Sequence, residues 1–395
     1  MNNRVTVVTD RLYPDDNSTS YYMTEITQKI SDINDGNIKV ICAMDLKNNQ
    51  ELPFLKNKII RISSSKFNKN KYFSRILRLS TLSLRLGWKT LFVVKKNESL
   101  FTYTLDPLIL ILAIIRKFRK FKYVLLVYDI FPENLIAANL ISKKSLIYKL
   151  IKNIFDWAYN QADHLVVIGR DMEKLIKKKT NNTVPVSLIT NWCDLEKIEI
   201  KSKNDNQIIK KYNLENKIVF SFVGNLGRVQ GIDFLLEVSS LVKSPEFTML
   251  FIGNGALVDK IKQFIRNNNH NNVIYAGYFP SSENNLILNA CDVAIVSLNK
   301  SMYGLGVPSR FYNNLAVKKP ILYLGDMDTE IGKTILENKI GWVCDNINPS
   351  EVAKKIDSII VEKEKIKDLG NQARNVAETK YSKNYILTKY AKIFS

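Results

Sequence analysis

Residues 218–242 read IVFSFVGNLGRVQGIDFLLEVSSLV. A short β-rich run leads into Gly224, Gly227 and Gly231, and an amphipathic run follows. This is the pattern of a strand, a glycine turn and a helix, the repeating unit of parallel α/β architecture. The same alternation recurs on both sides. Towards the C-terminus, strands are expected at Met249–Ile252, Val273–Ala276, Val293–Val296, Ile321–Leu324 and Trp342–Val343. Towards the N-terminus they are expected at Val5–Thr9, Lys39–Ala43, Leu100–Tyr103, Tyr123–Tyr128, His164–Ile168 and Val186–Ile189. Between the two sets the chain turns polar in KSKNDNQ, around Asn204–Asn206, which reads as a linker. The fold class is therefore α/β, with two Rossmann-like units. Neither carries a complete GxGxxG after a strand, so a dinucleotide-binding domain is not supported. Tyr381–Phe394 is an amphipathic helix candidate.

Composition narrows the function classes. The chain has 395 residues, 46% apolar and 24% charged, which is ordinary globular usage and favours two domains. It has no apolar run of ~20 residues, so no transmembrane helix is expected. Its start, MNNRVTVVTD, has no signal core, and a cytoplasmic location is expected. Cys42, Cys193, Cys291 and Cys344 lie far apart and only His164 and His270 are present, so neither a disulfide framework nor a zinc site is expected. The net charge is +20. Residues 51–150 hold 20 Lys and Arg against 5 Asp and Glu, a net of +15. Such a concentration suits an anionic partner, or simply a solvated Lys-rich surface. No nucleic-acid motif or aromatic-basic repeat accompanies it, so nucleic acid is not expected as a partner.

Ligands of doubly wound sheets bind at the C-terminal ends of strands, and a cleft between two such domains is the default site. The loops after the strands therefore carry the candidates. Gly224 to Gly231 can bring backbone close to a phosphate, with Arg228 as a bidentate donor and a helix start behind it. Gly253-Asn254-Gly255 is either part of that site or a plain turn. A third loop, Tyr303-Gly304-Leu305-Gly306-Val307-Pro308-Ser309-Arg310, runs into a helix start suited to an anion, with Asn313 one turn further on. In the first half, Asp16, Asn17, Ser18 and Thr19 offer carboxylate, amide and hydroxyls to a polyol. Asp129, in YDIFPEN, is a base, a hydroxyl acceptor or a helix cap. The Asp326-Met327-Asp328 pattern and three sequons are too short to carry weight.

These loops resemble a known group. GNLGRVQGIDFLLE, FIGNG, NVIYAGYFP, ACDVAIVSL and GVPSRFYNNLAVKKPIL look like the donor domain of GT-B glycosyltransferases. The nearest type is retaining family four, in its bacterial surface-polysaccharide branch, which includes colanic acid and N-acetylfucosamine transferases. VVTDRLYPDD, YTLDP, YDIFPENL, ADHLVVIGRDM and ITNWCD follow in family order. The resemblance implies an acceptor domain over 1–203, rejoined by the helix at 381–395, and a nucleotide-sugar domain over 204–380, facing each other across a cleft. It puts Gly224, Asn225, Arg228 and Gln230 at the diphosphate and Tyr278 and Phe279 near the base. Ser309, Arg310 and Asn313 would line ribose, phosphate and sugar, with Gly253 and the loop Tyr303, Gly304, Leu305, Gly306 and Val307 completing the donor pocket. The family often carries two Glu separated by seven residues; here Leu305 and Asn313 stand in those places.

The implied chemistry is sugar transfer with retention, from a nucleotide-diphosphate sugar, UDP by default, to a polyprenyl-diphosphate-linked saccharide. Capsule, O-antigen or exopolysaccharide is the implied product. Arg228, Arg310 and helix N-termini would stabilise the leaving diphosphate, Asp129 would orient the acceptor, and neither cofactor nor metal is expected. The basic stretch Lys66–Arg85, with Phe73, Ile76, Leu77 and Leu79, reads as a helix lying on an anionic membrane, part of a surface spanning residues 66–122 on the inner face of the plasma membrane. Two other readings keep the fold and change the activity: a nucleotide-sugar 2-epimerase, and a non-catalytic partner of another transferase.

Overall fold

The computed structural model describes residues 4–13, 17–43, 52–56, 58–63, 72–268, 271–344 and 348–394. The chain forms two units. The first takes in the chain up to Thr190, Gly304–Gly306 and the chain from Leu387 onward; the second holds Asn191–Tyr303 and Val307–Ile386.

The first unit runs β1 (Val5–Thr9), α1 (Ser18–Ile33), β2 (Ile38–Cys42), β3 (Ile59–Arg61), α2 (Tyr72–Val93), β4 (Ser99–Tyr103) and α3 (Asp106–Arg119). It continues with β5 (Lys122–Val127), α4 (Glu133–Ala137), α5 (Leu146–Tyr159), β6 (His164–Val167), α6 (Arg170–Lys179) and β7 (Val186–Leu188). Its strands lie in the order β3-β2-β1-β4-β5-β6-β7, all parallel. Strands covered on both faces read as continuous apolar runs, and VTVVT and YVLLV are buried throughout. Helix starts are locally encoded: the Asn17 side chain caps α1 by accepting from Ser20 N–H at 2.9 Å, and Pro107 occupies the first turn of α3.

The second unit holds α7 (Gln207–Lys211), β8 (Ile218–Asn225), α8 (Ile232–Leu241), β9 (Phe247–Asn254), α9 (Val258–Asn268), β10 (Val273–Gly277) and α10 (Asn284–Leu288). Then come β11 (Val293–Ser297), α11 (Arg310–Ala316), β12 (Ile321–Leu324), α12 (Glu330–Asn338), β13 (Gly341–Cys344), α13 (Pro349–Val361) and α14 (Glu364–Lys380). Helix α15 (Lys383–Phe394) ends the chain. The sheet order is β10-β9-β8-β11-β12-β13, again all parallel. Two apolar layers, one on each face of this sheet, form its core; Leu315 and Ile335 lie in one, Leu236 and Ile356 in the other.

Each strand expected from sequence is present, and β3 is added to them. Ile59–Arg61 is a three-residue, half-buried strand at the sheet edge, too short to show a pattern. The polar stretch before α7 is not a loose linker. Lys201 N–H donates to Asn289 Oδ1 at 2.9 Å, Lys203 Nζ to Asp292 Oδ2 at 2.8 Å, and Asn206 caps α7, so its polar side chains strap it to the second unit. The expected basic helix is present from Tyr72 and runs on to Val93; residues 66–71 lie outside the described residues.

In the first unit the C-terminal helix closes against the sheet. Phe101 of β4 meets Phe394 and Tyr390 edge-on, with ring centroids 5.4 and 6.5 Å apart. Phe101→Ala is expected to destabilise the first unit by about 3–5 kcal/mol, read as a lower urea midpoint; an unchanged midpoint would show that this helix adds nothing to the core.

Candidate active site

In the second unit the strand order reverses between β8 and β11, the point where doubly wound sheets bind ligands. Gly224 and Gly253 are register partners at the ends of β8 and β9, with φ of +143° and +141°. A Cβ on Gly253 would lie 1.8 Å from the Gly224 carbonyl oxygen, so a side chain there cannot be accommodated without backbone movement. The Gly253 turn is thus required by packing against the first glycine loop. That loop then bends through a tight helical turn at Arg228–Gln230, and left-handed Gly231 leads into α8. It is pinned from the segment just after β11: Asn299 N–H donates to the Val229 carbonyl at 3.0 Å and Asn299 Nδ2 to the Arg228 carbonyl at 3.2 Å. No side chain caps α8, so its first N–H groups and dipole end remain suited to an anion.

Arg310, the first residue of α11, brings its side-chain stem to 4.0 Å from where a Cβ would stand on Gly224. Its Nη1 donates to Asn284 Oδ1 at 2.7 Å, which orients the guanidinium. Arg228 and Asn225 are exposed in the adjoining turn. Ser309 and Asn313 are half-buried on either side of Arg310, and the Ser309 hydroxyl makes no capping bond. Gln230 behaves differently from Asn225. Its Oε1 is buried against Gly227 without a hydrogen-bond partner, so the side chain props the turn from within. Tyr278 is 61% exposed, whereas Phe279 and Val307 pack on the unit's core and Tyr303 is half-buried.

The first unit has its own reversal between β1 and β4. Asp10, just after β1, accepts a hydrogen bond from the Tyr103 hydroxyl at the end of β4. Burial, then the Asp10 charge and hydrogen bond, push the Tyr103 phenol well above its usual range. Thr104 follows on, and its buried hydroxyl oxygen accepts from both Tyr128 and Asp129 N–H at 3.1 Å. This fixes the backbone at Asp129. Asp129 is exposed at the surface, yet the protein packed around it raises its carboxyl by desolvation from 3.8 to about 6. Gly306 lies beside it: a Cβ there would be 3.9 Å from Asp129 Oδ1. Gly304 N–H donates to Asp171 Oδ2 at 3.0 Å, and Leu305 is buried. Gly304, Leu305 and Gly306 therefore group with the first unit's residues, Gly306 next to Asp129, while Val307–Ile386 belongs to the second unit.

Of the polyol candidates, Asp16 lies outside the described residues. Asn17 spends its side-chain oxygen on the α1 cap, Ser18 is exposed and Thr19 is half-buried. Sequence reasoning passed over Asp10, Tyr103, Thr104, Asn284 and Asn299. Asp10 and Thr104 directly follow strands, a position that could have drawn notice; the other three act through partners distant in sequence. Among the described residues no group of three or more His, Cys, Asp or Glu is placed to hold a metal, and no helix is long and apolar enough to cross a membrane.

Comparison with known proteins gives this geometry a family. The chain is 35% identical over 393 residues to a probable glycosyltransferase, WbjE, of Pseudomonas aeruginosa, covering 98% of this chain and 96% of that one. The description "Glycosyl transferases group 1" matches residues 204–376. The chain belongs to the group 1 glycosyltransferases. As such it is also similar to poly(ribitol-phosphate) alpha-N-acetylglucosaminyltransferase of Staphylococcus aureus, at 28% identity over 181 residues, 44% of this chain and 35% of that one. Among solved structures, Anabaena Alr3699/HepE in complex with UDP-glucose superposes with a TM-score of 0.69 at 13% identity, over 99% of each chain. That likeness places this glycosyltransferase in the GT-B fold, with two parallel-sheet Rossmann-like domains.

Two outcomes follow. Gly253→Ala is expected to lower the thermal midpoint more than Gly224→Ala, because both positions need positive φ but only the first meets backbone at 1.8 Å. Asp129→Asn is expected to raise the thermal midpoint slightly above about pH 6, solvent screening keeping the gain small at this exposed position, and to leave it little changed near pH 4. The folded carboxyl pKa lies above the unfolded one, so ionising Asp129 weakens the fold as pH rises through that range. An unchanged difference across pH would remove the desolvation argument.

Proposed function

We propose that this glycosyltransferase moves a sugar, with retention, from a UDP-sugar to a lipid-linked saccharide in the synthesis of a capsule, O-antigen or exopolysaccharide. The observation that carries the donor half is the meeting of the Gly224 turn, the uncapped α8 start and the Arg310 stem at one strand-order reversal. The UDP-glucose complex of the Anabaena protein of the same fold supports a nucleotide sugar as donor. Arg228 and Arg310 neutralise the diphosphate, Asn225, Ser309 and Asn313 hydrogen-bond donor oxygens, and Tyr278 offers its exposed ring to the base. The bond between the sugar's anomeric carbon and the diphosphate breaks, and the acceptor oxygen bonds that carbon from the same face. The acceptor proton passes to the departing diphosphate oxygen. Asp129, held by Thr104, accepts the acceptor hydroxyl's hydrogen bond and orients it. The cations and helix start supply the charge stabilisation, so we propose that neither metal nor cofactor takes part. A polyprenyl-diphosphate acceptor goes with a peripheral position on the inner face of the plasma membrane.

Leu305 is buried and Asn313 is neutral, which favours as second reading a chain that binds donor but serves another transferase. The test has two parts. A thermal-shift panel with UDP, GDP and ADP is expected to show stabilisation by UDP, about 2.7 kcal/mol at 100 times its dissociation constant. Arg310→Ala should weaken that binding by about 2 kcal/mol, roughly thirtyfold. No shift with any nucleotide overturns the donor reading. Transfer to a lipid-linked acceptor is then expected to fall below about pH 6 as Asp129 protonates, with Asp129→Asn far less active. UDP binding without turnover on any acceptor or of donor alone selects the non-catalytic partner; turnover of donor without acceptor selects the 2-epimerase.

A further inference from the structure

Helices α2, α3 and α5 lie side by side as one layer of the first unit. Gly87 lets α2 close on α3: a Cβ there would stand 2.3 Å from Ile111 Cγ2. Lys117 of α3 lies over the Trp157 ring of α5, 5.0 Å from its centroid. The outward side of this layer is apolar. On α2, Leu84, Trp88 and Phe92 recur every four residues and are exposed, with the two rings in edge contact at 5.1 Å. On α3, Ile114 and Phe118 do the same, Phe118 at 77% exposure. On α5, Leu146, Ile147, Leu150 and Ile154 form one exposed stripe, Leu146 at 80%. Single exposed apolar residues are ordinary, but three adjoining helices exposing them on one face mark an interaction surface.

The same helices are cationic. Together they carry nine Lys and Arg against two acids, Asp106 and Asp156. Asp156 is already paired with Lys152 and Lys179, and Asp106 sits in the first turn of α3. At the C-terminal end of α3, Lys117, Lys120 and Lys122 line a cavity of about 540 Å³ together with Arg116, which is paired with Asp163, the cavity's one carboxylate. From this we infer that the α2–α3–α5 face docks on an anionic phospholipid surface, with Trp88, Phe92, Phe118 and the α5 stripe entering the headgroup region and the cations meeting lipid phosphates. A second copy of the chain is disfavoured by charge, since a symmetric contact would press two cationic faces together. A nucleic acid would satisfy the cations but leave the apolar side chains without a partner.

The inference deepens the proposed function, on which it rests only for why a membrane is near. It also moves the docking surface from where sequence put it. Leu79 is half-buried, the side chains of Phe73 and Ile76 lie outside the described ones, and α5 falls beyond residues 66–122.

The test uses the full chain and vesicles of phosphatidylcholine with or without phosphatidylglycerol. At low salt the protein is expected to float with the anionic vesicles only, and to release as salt rises. Trp88 fluorescence should shift to the blue and be quenched by brominated lipid, and Trp88→Tyr should remove most of that quenching. Ile147→Asp with Leu150→Asp is expected to cut vesicle partitioning at least about tenfold. A cooperative urea transition with an unchanged midpoint serves as the control that these exposed variants are folded. Failure to float, or flotation indifferent to the α5 substitutions, overturns the inference. So does self-association in solution that those substitutions abolish, which would make the face a contact between copies. Vesicle binding with no nucleotide shift leaves this inference standing and overturns the donor reading instead.

Discussion

Each sheet is parallel and reverses its strand order once, between β1 and β4 and between β8 and β11. Neighbouring connections leave such a point in opposite directions, so the two strand ends stay uncovered by their own helices. The rest of the site depends on that geometry. In the second unit the reversal lets the Gly224–Gly231 turn lie against Ser297 and Asn299; the Gly253 turn packs on it and the Arg310 stem reaches Gly224. In the first unit it sets Asp10 against Tyr103 and Thr104 against Asp129. Glycine is required where the chain passes closest, and at Gly253 the nearest atom is backbone, which cannot give way.

The two reversals are built with different electrostatics. The second unit's is cationic, with two Arg and an uncapped helix start whose first-turn acid, Asp233, is paired with Lys260 at 2.9 Å. The first unit's carries the carboxyl of Asp129, raised by crowding protein, and an Asp10 that accepts from Tyr103 and pairs with Arg11 at 3.2 Å, with burial suppressing phenol ionisation. A carboxyl whose pKa is raised in this way is the kind of group that clusters at functional sites. The neutral Leu305 and Asn313 fit the same division. Leu305 is buried, and a carboxylate in such a place would need a partner.

The basic excess of residues 51–150 is legible as a number but not as a surface. Its cations sit on helices whose buried faces carry Leu82, Leu86, Leu108, Leu112 and Ile115 against the sheet, so the outward faces hold what is left. What is left includes Trp88, Phe92 and Phe118, which a surface facing only water would not favour.

The sequence by itself determined the strands and the glycine loops. Parallel strands buried on both faces are continuous apolar runs, and a loop that needs positive φ needs glycine, so both leave local marks; only the three-residue edge strand β3 was too short to leave one. It also marked Asp129 and Arg310 as following a strand and starting a helix. Tertiary structure alone decided that Gly306 lies beside Asp129, that Asn284 orients Arg310, that Gln230 turns inward, and that α5 shares a face with α2 and α3. Those facts depend on which strands become neighbours and which side of each helix the sheet covers. Contacts between residues tens of positions apart carry no spacing signal, because the chain between them can be of any length.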